Sequence, residues 1–222
     1  MLLNKVDSRF LNYLIETQTK PGDILLPLTE ISTELGISVG KLREQLEVAR
    51  SLGLVSVRPR IGIQRQAFDF APAVLQSVLF GLATKEATFE QFSQLRRTVE
   101  AGFWHEAATL LTPEDKEDLK QTVQNAWAKL RGEPIHVPNG EHRRLHLLIF
   151  HRLENPFVQG VLSAYWDAYE ASELTRFVSY QYWIDVWTYH EQIVDALCSD
   201  DFDRGRQLLI QHFSLLPKAT GE

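Results

Sequence analysis

The stretch 34–65, ELGISVGKLREQLEVARSLGLVSVRPRIGIQR, determines the fold that the sequence predicts for the N-terminal part of the chain. A helix of about 28–35 leads into it, and Gly36 can take the left-handed backbone conformation that ends such a helix. Ser38 can then cap the next helix, about 39–52. Two helices joined by a tight, glycine-containing turn are typical of a helix-turn-helix.

Two short strands follow the second helix, at about 54–57 and 61–63, and arginines lie in the turn between them. A helix-turn-helix with such a hairpin is a winged helix-turn-helix. Its second helix fits the DNA major groove, about 12 Å wide, and arginines of the wing can reach phosphates or the minor groove. A winged helix can also bind protein, but the basic residues here favour DNA. The residues that we predict to contact DNA are Ser38, Lys41, Arg43, Arg58 and Arg60.

The composition is that of an ordinary soluble protein with a substantial core: 222 residues, 44% hydrophobic and 23% charged. The single cysteine, Cys198, excludes a disulfide framework and a thiolate-rich zinc finger. No apolar run approaches the roughly 18 residues that a membrane span needs. The N-terminus does not resemble a signal peptide. We therefore expect a cytoplasmic protein without membrane contact.

The net charge of −6 argues against nucleic-acid binding when it is averaged over the chain. The distribution of charge changes that interpretation. Residues 1–70 carry nine basic and eight acidic side chains, and residues 38–66 alone carry six basic and two acidic ones. The acidic excess therefore lies in the C-terminal part of the chain, and the predicted recognition helix (about 39–52) and the wing are locally basic.

The stretches 34–38 (ELGIS), 42–46 (LREQL) and 52–55 (LGLV) resemble the GntR family of bacterial transcription regulators. The resemblance implies a homodimer that binds double-stranded operator DNA. Of the arginines that usually contact DNA in this family, Arg43 is present, whereas Val39 stands at another such position. We therefore expect an unusual operator sequence or a weaker affinity for DNA.

The part of the chain after residue 70 shows helical spacing throughout, which predicts an all-α domain built as an antiparallel helical bundle. The fold class is therefore mainly α, with a winged helix-turn-helix domain at 1–67 and an all-α effector- and metal-binding domain at 73–217. The predicted helices of the second domain are 73–84, 88–111, 113–131, 139–153, 156–180, 182–198 and 200–216.

Histidines carry the most distinctive chemistry of the second domain. His142 and His146 lie four residues apart on one predicted helix, and His190 and His212 lie on later helices. Imidazoles from facing helices of a bundle can close a metal site. Such a pair also occurs by chance among packed or surface residues. Arg143 stands where a metalloprotease needs Glu, which excludes that motif.

The spacing of four motifs resembles the FCD ligand-binding domain of the FadR branch of GntR regulators. The motifs are the segment 142–146, the pair 155–156 (Asn-Pro), the segment 190–196 (HEQIVDA) and His212. The resemblance implies a divalent metal held by His142, His146, His190 and His212. Because His142 stands where the family has Asp or Asn, a site of four imidazoles favours zinc or nickel over manganese.

The same resemblance implies a small carboxylate as effector. The segment 94–100 resembles the Leu-Arg-x-x-x-Glu stretch of the family, so Arg96 is the first candidate for binding the carboxylate, and Arg176 is the second. Alternatively, Arg96 and Glu100 form an ordinary i,i+4 pair worth a few tenths of a kcal/mol. The aromatic residues between 165 and 189 either form core and dimer contacts or line the effector pocket.

These features together predict a metabolite-responsive transcription repressor. Two alternatives remain open from the sequence. The histidine cluster can be a plain stability element within the same fold, or the chain can be a metal-dependent enzyme that acts on a small carboxylate. The attached winged helix and the filled fourth ligand position weigh against the enzyme, because catalytic zinc sites keep one position open.

Overall fold

The chain forms two compact units, Met1–Gln76 and Ser77–Glu222, in a computed structural model that describes residues 6–172 and 178–215. The prediction of a mainly α fold is confirmed: a winged helix-turn-helix makes up the first unit, and helices make up the second. The elements of the first unit are α1 (Arg9–Glu16), α2 (Leu28–Leu35), α3 (Val39–Ser51), β1 (Val55–Arg58) and β2 (Gly62–Arg65).

The turn between α2 and α3 forms as its residues predict. Gly36 has φ 61° and ends α2 in the left-handed conformation, which glycine adopts without steric cost. The Ser38 hydroxyl accepts a hydrogen bond of 3.2 Å from the backbone N–H of Lys41 and so caps α3. Phe10, Ile31 and Leu42 are fully buried beneath the turn. This core fixes α3 while it leaves the polar face of the helix exposed.

The wing is a two-stranded antiparallel hairpin in which Val55 pairs with Arg65 and Arg58 pairs with Gly62. Both strands begin one residue later than predicted, and the second ends two residues later. Arg60, in the connecting turn, has φ 67°, and its side chain is exposed together with that of Arg58. The two arginines are therefore presented at the tip of the hairpin.

The second unit is a helical bundle. Its helices are α4 (Ala71–Ala83), α5 (Phe89–Leu110), α6 (Pro113–Leu130), α7 (Asn139–Phe150), α8 (Pro156–Ala171), α9 (Tyr180–Cys198) and α10 (Phe202–His212), followed by a 3-10 turn, Phe213–Leu215. Helix α6 packs against α7 and α9, α10 packs against α9 and α5, and α5 packs against α7 and α8. The boundary between the two units lies within α4. None of the helices in the described parts of the chain is long and apolar enough to cross a membrane.

Local capping explains where most of these helices begin. The Asn155 side chain accepts hydrogen bonds from the backbone N–H groups of Phe157 and Val158, at 3.1 and 3.2 Å, and so starts α8. The predicted helix 156–180 is too long, because α8 ends at Ala171; residues 173–177 of that prediction lie outside the described residues. Helix α9 starts at Tyr180, two residues earlier than predicted, since Ser179 caps it.

Close packing of α10 on α5 gives a test of the bundle. A Cβ atom at Gly205 would lie 2.6 Å from Cζ2 of Trp104, which is fully buried and donates a 2.7 Å hydrogen bond to the Phe202 carbonyl. We expect Gly205→Ala to lower the free energy of unfolding by about 1–3 kcal/mol in urea titrations, because the ring has no room to move. Gly102→Ala is the control: no atom lies within 4 Å of the added carbon, so it should be neutral or stabilise α5 by up to ~1 kcal/mol. Equal effects of the two substitutions would contradict this packing.

Candidate metal centre and nucleic-acid interface

Three helices bring four histidines together in the interior of the bundle. His142 and His146 lie one turn apart on α7, His190 lies on α9, and His212 is the last residue of α10. Each has at most 1% of its surface exposed. One nitrogen of each ring lies within 4.8 Å of one nitrogen of every other. The structure thus clusters the four residues that the sequence proposes as ligands.

The geometry of the rings fits a metal ion. The Nε2 atom of His190 lies 3.2 Å from Nε2 of His146 and 3.1 Å from Nε2 of His212. Nitrogen ligands of a tetrahedral zinc, bound at about 2.0–2.1 Å, are about 3.3 Å apart. Both ring nitrogens of His142 lack a hydrogen-bond partner, although buried polar atoms usually have one. The donor set therefore fits a divalent ion that prefers imidazole.

The protonation state of the four imidazole rings also favours metal binding. Burial lowers the pKa of all four imidazoles well below the ordinary value, and the charge of Arg96 lowers each of them further. The imidazoles are therefore neutral at physiological pH, which is the form that binds metal. Neutral rings also avoid the repulsion that four clustered positive charges would produce.

An ion pair lies directly against the cluster. Arg96 and Glu100, both on α5 and fully buried, are 3.0 Å apart, from Nη2 to Oε2. The same Nη2 atom lies 2.8 Å from Nδ1 of His146, and Oε1 of Glu100 lies 3.1 Å from that nitrogen. Arg96 and Glu100 therefore form the i,i+4 pair that the sequence leaves open, but the pair is buried and lies against His146.

Aromatic rings surround the four histidines and the Arg96–Glu100 pair. His142 lies 4.6 Å from Trp166, 5.9 Å from Tyr169 and 6.0 Å from Trp183, measured between ring centroids. The guanidinium carbon of Arg96 lies 4.8 Å from the centre of the Tyr165 ring, a cation–π contact. Much of the aromatic stretch predicted as core or pocket lining thus forms core next to the histidines. The low polarity of these surroundings strengthens the electrostatic interactions among the buried histidines, Arg96 and Glu100.

Five predicted DNA-contacting residues lie on the first unit. Arg43 and Lys41 are exposed on α3, and Arg58 and Arg60 are exposed at the tip of the wing. Ser38 is exposed at the start of α3, where its hydroxyl caps the helix. Exposure of basic groups on the second helix and the wing is what contact with phosphates and groove edges requires.

Comparison with known proteins identifies the family. The FCD domain matches residues 91–215, more than half of the chain, and this range includes the whole histidine cluster. The chain belongs to the GntR family of transcription regulators, in the group that carries an FCD domain. Members of the GntR family are transcription regulators and not enzymes, so the alternative of a metal-dependent enzyme is not retained.

Solved structures share the fold of this GntR-family regulator. It is similar to a GntR protein of Streptococcus agalactiae, with a TM-score of 0.63 and 15% identity over 93% of this chain and 94% of that chain. It is also similar to McbR/YncC of E. coli, with a TM-score of 0.50 and 19% identity over 89% and 86% of the two chains. A comparison with curated protein sequences gave no match.

The candidate site differs from the sequence-based prediction in two residues. Arg176, the second candidate for the carboxylate, lies outside the described residues. Glu100, which the sequence suggests only as a helix partner of Arg96, lies against His146, one of the four clustered histidines. The signal that could have identified Glu100 is its four-residue spacing from Arg96, because side chains four residues apart lie on the same face of a helix.

Proposed function

We propose that the chain is a repressor that binds a palindromic operator as a homodimer and responds to a small carboxylate effector. The effector binds to Arg96 beside a divalent metal, zinc or nickel, that His142, His146, His190 and His212 hold. Four neutral imidazoles without a carboxylate among them support these borderline metals over manganese. When bound, the metal supplies positive charge that can attract a carboxylate oxygen.

One observation carries this proposal: an arginine with unused donors is buried beside the metal-binding rings. Arg96 lies 2.8 Å from His146, and its Nε and Nη1 atoms make no hydrogen bond. Free N–H donors on a buried guanidinium are suited to binding a carboxylate oxygen. Effector binding in the bundle would then change DNA affinity through the coupling between two sites that defines allostery.

A purely structural role for the histidines is the second candidate. Complete burial and four protein ligands are typical of structural zinc sites. In that case metal raises the stability of the bundle, and no carboxylate changes DNA binding.

DNA affinity separates these two candidates. Fluorescence anisotropy with labelled DNA from upstream of the gene, at low salt and with zinc or nickel present, should show binding by the full chain. A set of hydroxy acids, sugar acids and dicarboxylates should contain at least one that shifts the affinity by about 5–150-fold. Binding that no carboxylate shifts would favour the structural role. Absence of DNA binding would refute the repressor.

Arg43 gives the sharpest test of the DNA interface. We expect Arg43→Ala to weaken operator binding by about 1–3 kcal/mol and to reduce the salt dependence of binding, because an exposed cation on the recognition helix α3 is lost. Arg50→Ala is the matched control on the same helix, since Arg50 is exposed near its C-terminal end and pairs with Glu47 at 2.6 Å. The interface would have to be placed elsewhere if both variants bound equally well.

Helix α4 supports the homodimer. Residues 70–84 contain no charged side chain, yet Ala71 is the only buried residue of α4, and Phe80 is 66% exposed. Apolar surface of this kind is typical of association sites. We expect Phe80→Glu to raise the dimer dissociation constant at least about tenfold in analytical ultracentrifugation, because burial of one Phe contributes roughly 1.5–3 kcal/mol. Ile135→Glu, an equally exposed apolar residue (57%) away from α4, should leave dimerisation unchanged. A dimer indifferent to Phe80→Glu would argue against α4.

A further inference from the structure

We infer that Glu100 is a positioning residue of the metal centre: when Nε2 of His146 binds a metal, Oε1 of Glu100, 3.1 Å from Nδ1 of that ring, accepts the Nδ1 hydrogen and so keeps Nε2 turned toward the other histidines. Glu100 also supplies, from outside the ligand shell, the negative charge that is missing at His142. The inference rests on the proposed metal site and assigns a role to a residue that does not bind the metal itself.

The orientation of the rings is the first step. Nε2 of His190 lies 3.2 Å from Nε2 of His146 and 3.1 Å from Nε2 of His212. Nη2 of Arg96 also lies 3.1 Å from Nε2 of His146. The Nδ1 atoms of His190 and His212 have no hydrogen-bond partner. Nδ1 of His146 lies 3.1 Å from Oε1 of Glu100. Of these three rings, His146 is therefore the one with a carboxylate behind it.

Donor and acceptor chemistry gives the second step. A neutral imidazole that offers Nε2 to a metal carries its proton on Nδ1 and needs an acceptor there. Arg96, whose Nη2 lies 2.8 Å from the same nitrogen, is a donor only and cannot take this role. The carboxylate can. Arg96 instead holds Glu100, through the 3.0 Å ion pair.

The state of the carboxylate gives the third step. Neither oxygen of Glu100 makes a hydrogen bond of good geometry, although the side chain is fully buried. A buried carboxylate is strongly disfavoured unless donors reach it. Its two neighbouring donor atoms are Nη2 of Arg96 at 3.0 Å and Nδ1 of His146 at 3.1 Å. A proton on Nδ1 therefore satisfies both the ring and the carboxylate.

Glu100 acts from outside the ligand group. Within the described residues, the group of side chains whose ligand atoms lie within 4.8 Å of one another consists of the four histidines and includes no carboxylate. An ion bound to neutral rings leaves its double positive charge uncompensated, beside the positive charge of Arg96. Glu100 offsets one of these charges at a distance of one imidazole ring.

Metal affinity tests this role. Zinc affinity is measured by competition with a chelator, and the ligand geometry by the visible absorption of bound cobalt, with the purified full chain. Glu100→Leu should bind zinc about 10–100-fold more weakly than the wild type. Glu100→Gln should lose less, because its amide oxygen still accepts from Nδ1 of His146. Glu90→Gln, on the same helix and 50% exposed, should leave zinc affinity unchanged.

A second pair of variants removes the effect of an unpaired buried charge. Arg96→Leu/Glu100→Gln and Arg96→Leu/Glu100→Leu both lack the ion pair and differ only in the acceptor at residue 100. We expect the Gln variant to bind zinc about tenfold more tightly and to keep the cobalt spectrum closer to the wild type. Equal affinity within this pair overturns the acceptor role, while the metal site stands if the wild type binds zinc. A wild type that binds neither zinc nor cobalt overturns both.

Discussion

His190→Ala should weaken the binding of zinc about 100-fold. Its Nε2 atom lies within 3.2 Å of Nε2 of both His146 and His212, so no other imidazole is placed as centrally. Apparent binding free energies of four-ligand zinc sites are about 10–16 kcal/mol, and an equal share for one ligand is about 3 kcal/mol, or ~100-fold in affinity. Elemental analysis after dialysis and chelator competition would measure this loss.

The thermal stability of the protein should also depend on zinc binding. Zinc should raise the thermal midpoint of the wild type, because a ligand that binds only the folded state stabilises it by mass action. The rise should be smaller in His190→Ala at the same zinc concentration. His105→Ala is the control, because His105 is 53% exposed and pairs with Asp203 at the surface. Zinc affinity of His190→Ala equal to that of the wild type would refute the four-histidine centre.

The elements of the fold could largely be predicted from the sequence, because their signals are local. Gly36 and Ser38 mark the turn of the helix-turn-helix, and Asn155 marks the start of α8. The end of α8 at Ala171 has no such signal, since neither Gly nor Pro follows it before α9 and apolar residues continue. The helix ends there on a Ser172 cap, whose hydroxyl donates to the Ala168 carbonyl at 2.7 Å.

The site was predictable where its residues lie in spaced motifs. The resemblance of their motifs to the FCD domain implies the set of four histidines, and the structure brings them together. Burial of Arg96 and Glu100 does not follow from the sequence, because two opposite charges four residues apart on a helix are usually exposed. Burial is decided by tertiary packing, here by Tyr165 and Phe213, whose ring centres lie 4.8 and 5.4 Å from the Arg96 guanidinium carbon.

Arg96→Met should be among the most destabilising substitutions in the bundle. The variant leaves Glu100 as a fully buried carboxylate without its cation. Removal of one partner from a buried ion pair typically costs 3–5 kcal/mol. We expect a loss of about that size in the free energy of unfolding from urea titrations with a chelator present, and loss of the response of DNA binding to a carboxylate.

The neighbouring residue offers a matched comparison. Arg97 pairs with Glu90 on the same helix, but the two side chains are 24% and 50% exposed. Arg97→Met should therefore cost no more than about 1 kcal/mol, since water screens such a pair. Arg96→Met/Glu100→Gln should recover much of the stability that Arg96→Met loses, because no charge is then left buried and unpaired. Similar costs for Arg96→Met and Arg97→Met would mean that Glu100 does not remain a buried, unpaired carboxylate in the variant, because water reaches it or because its carboxyl, whose pKa burial raises, takes up a proton. The buried ion pair would then not be the strong electrostatic element that the proposed recognition of a carboxylate requires.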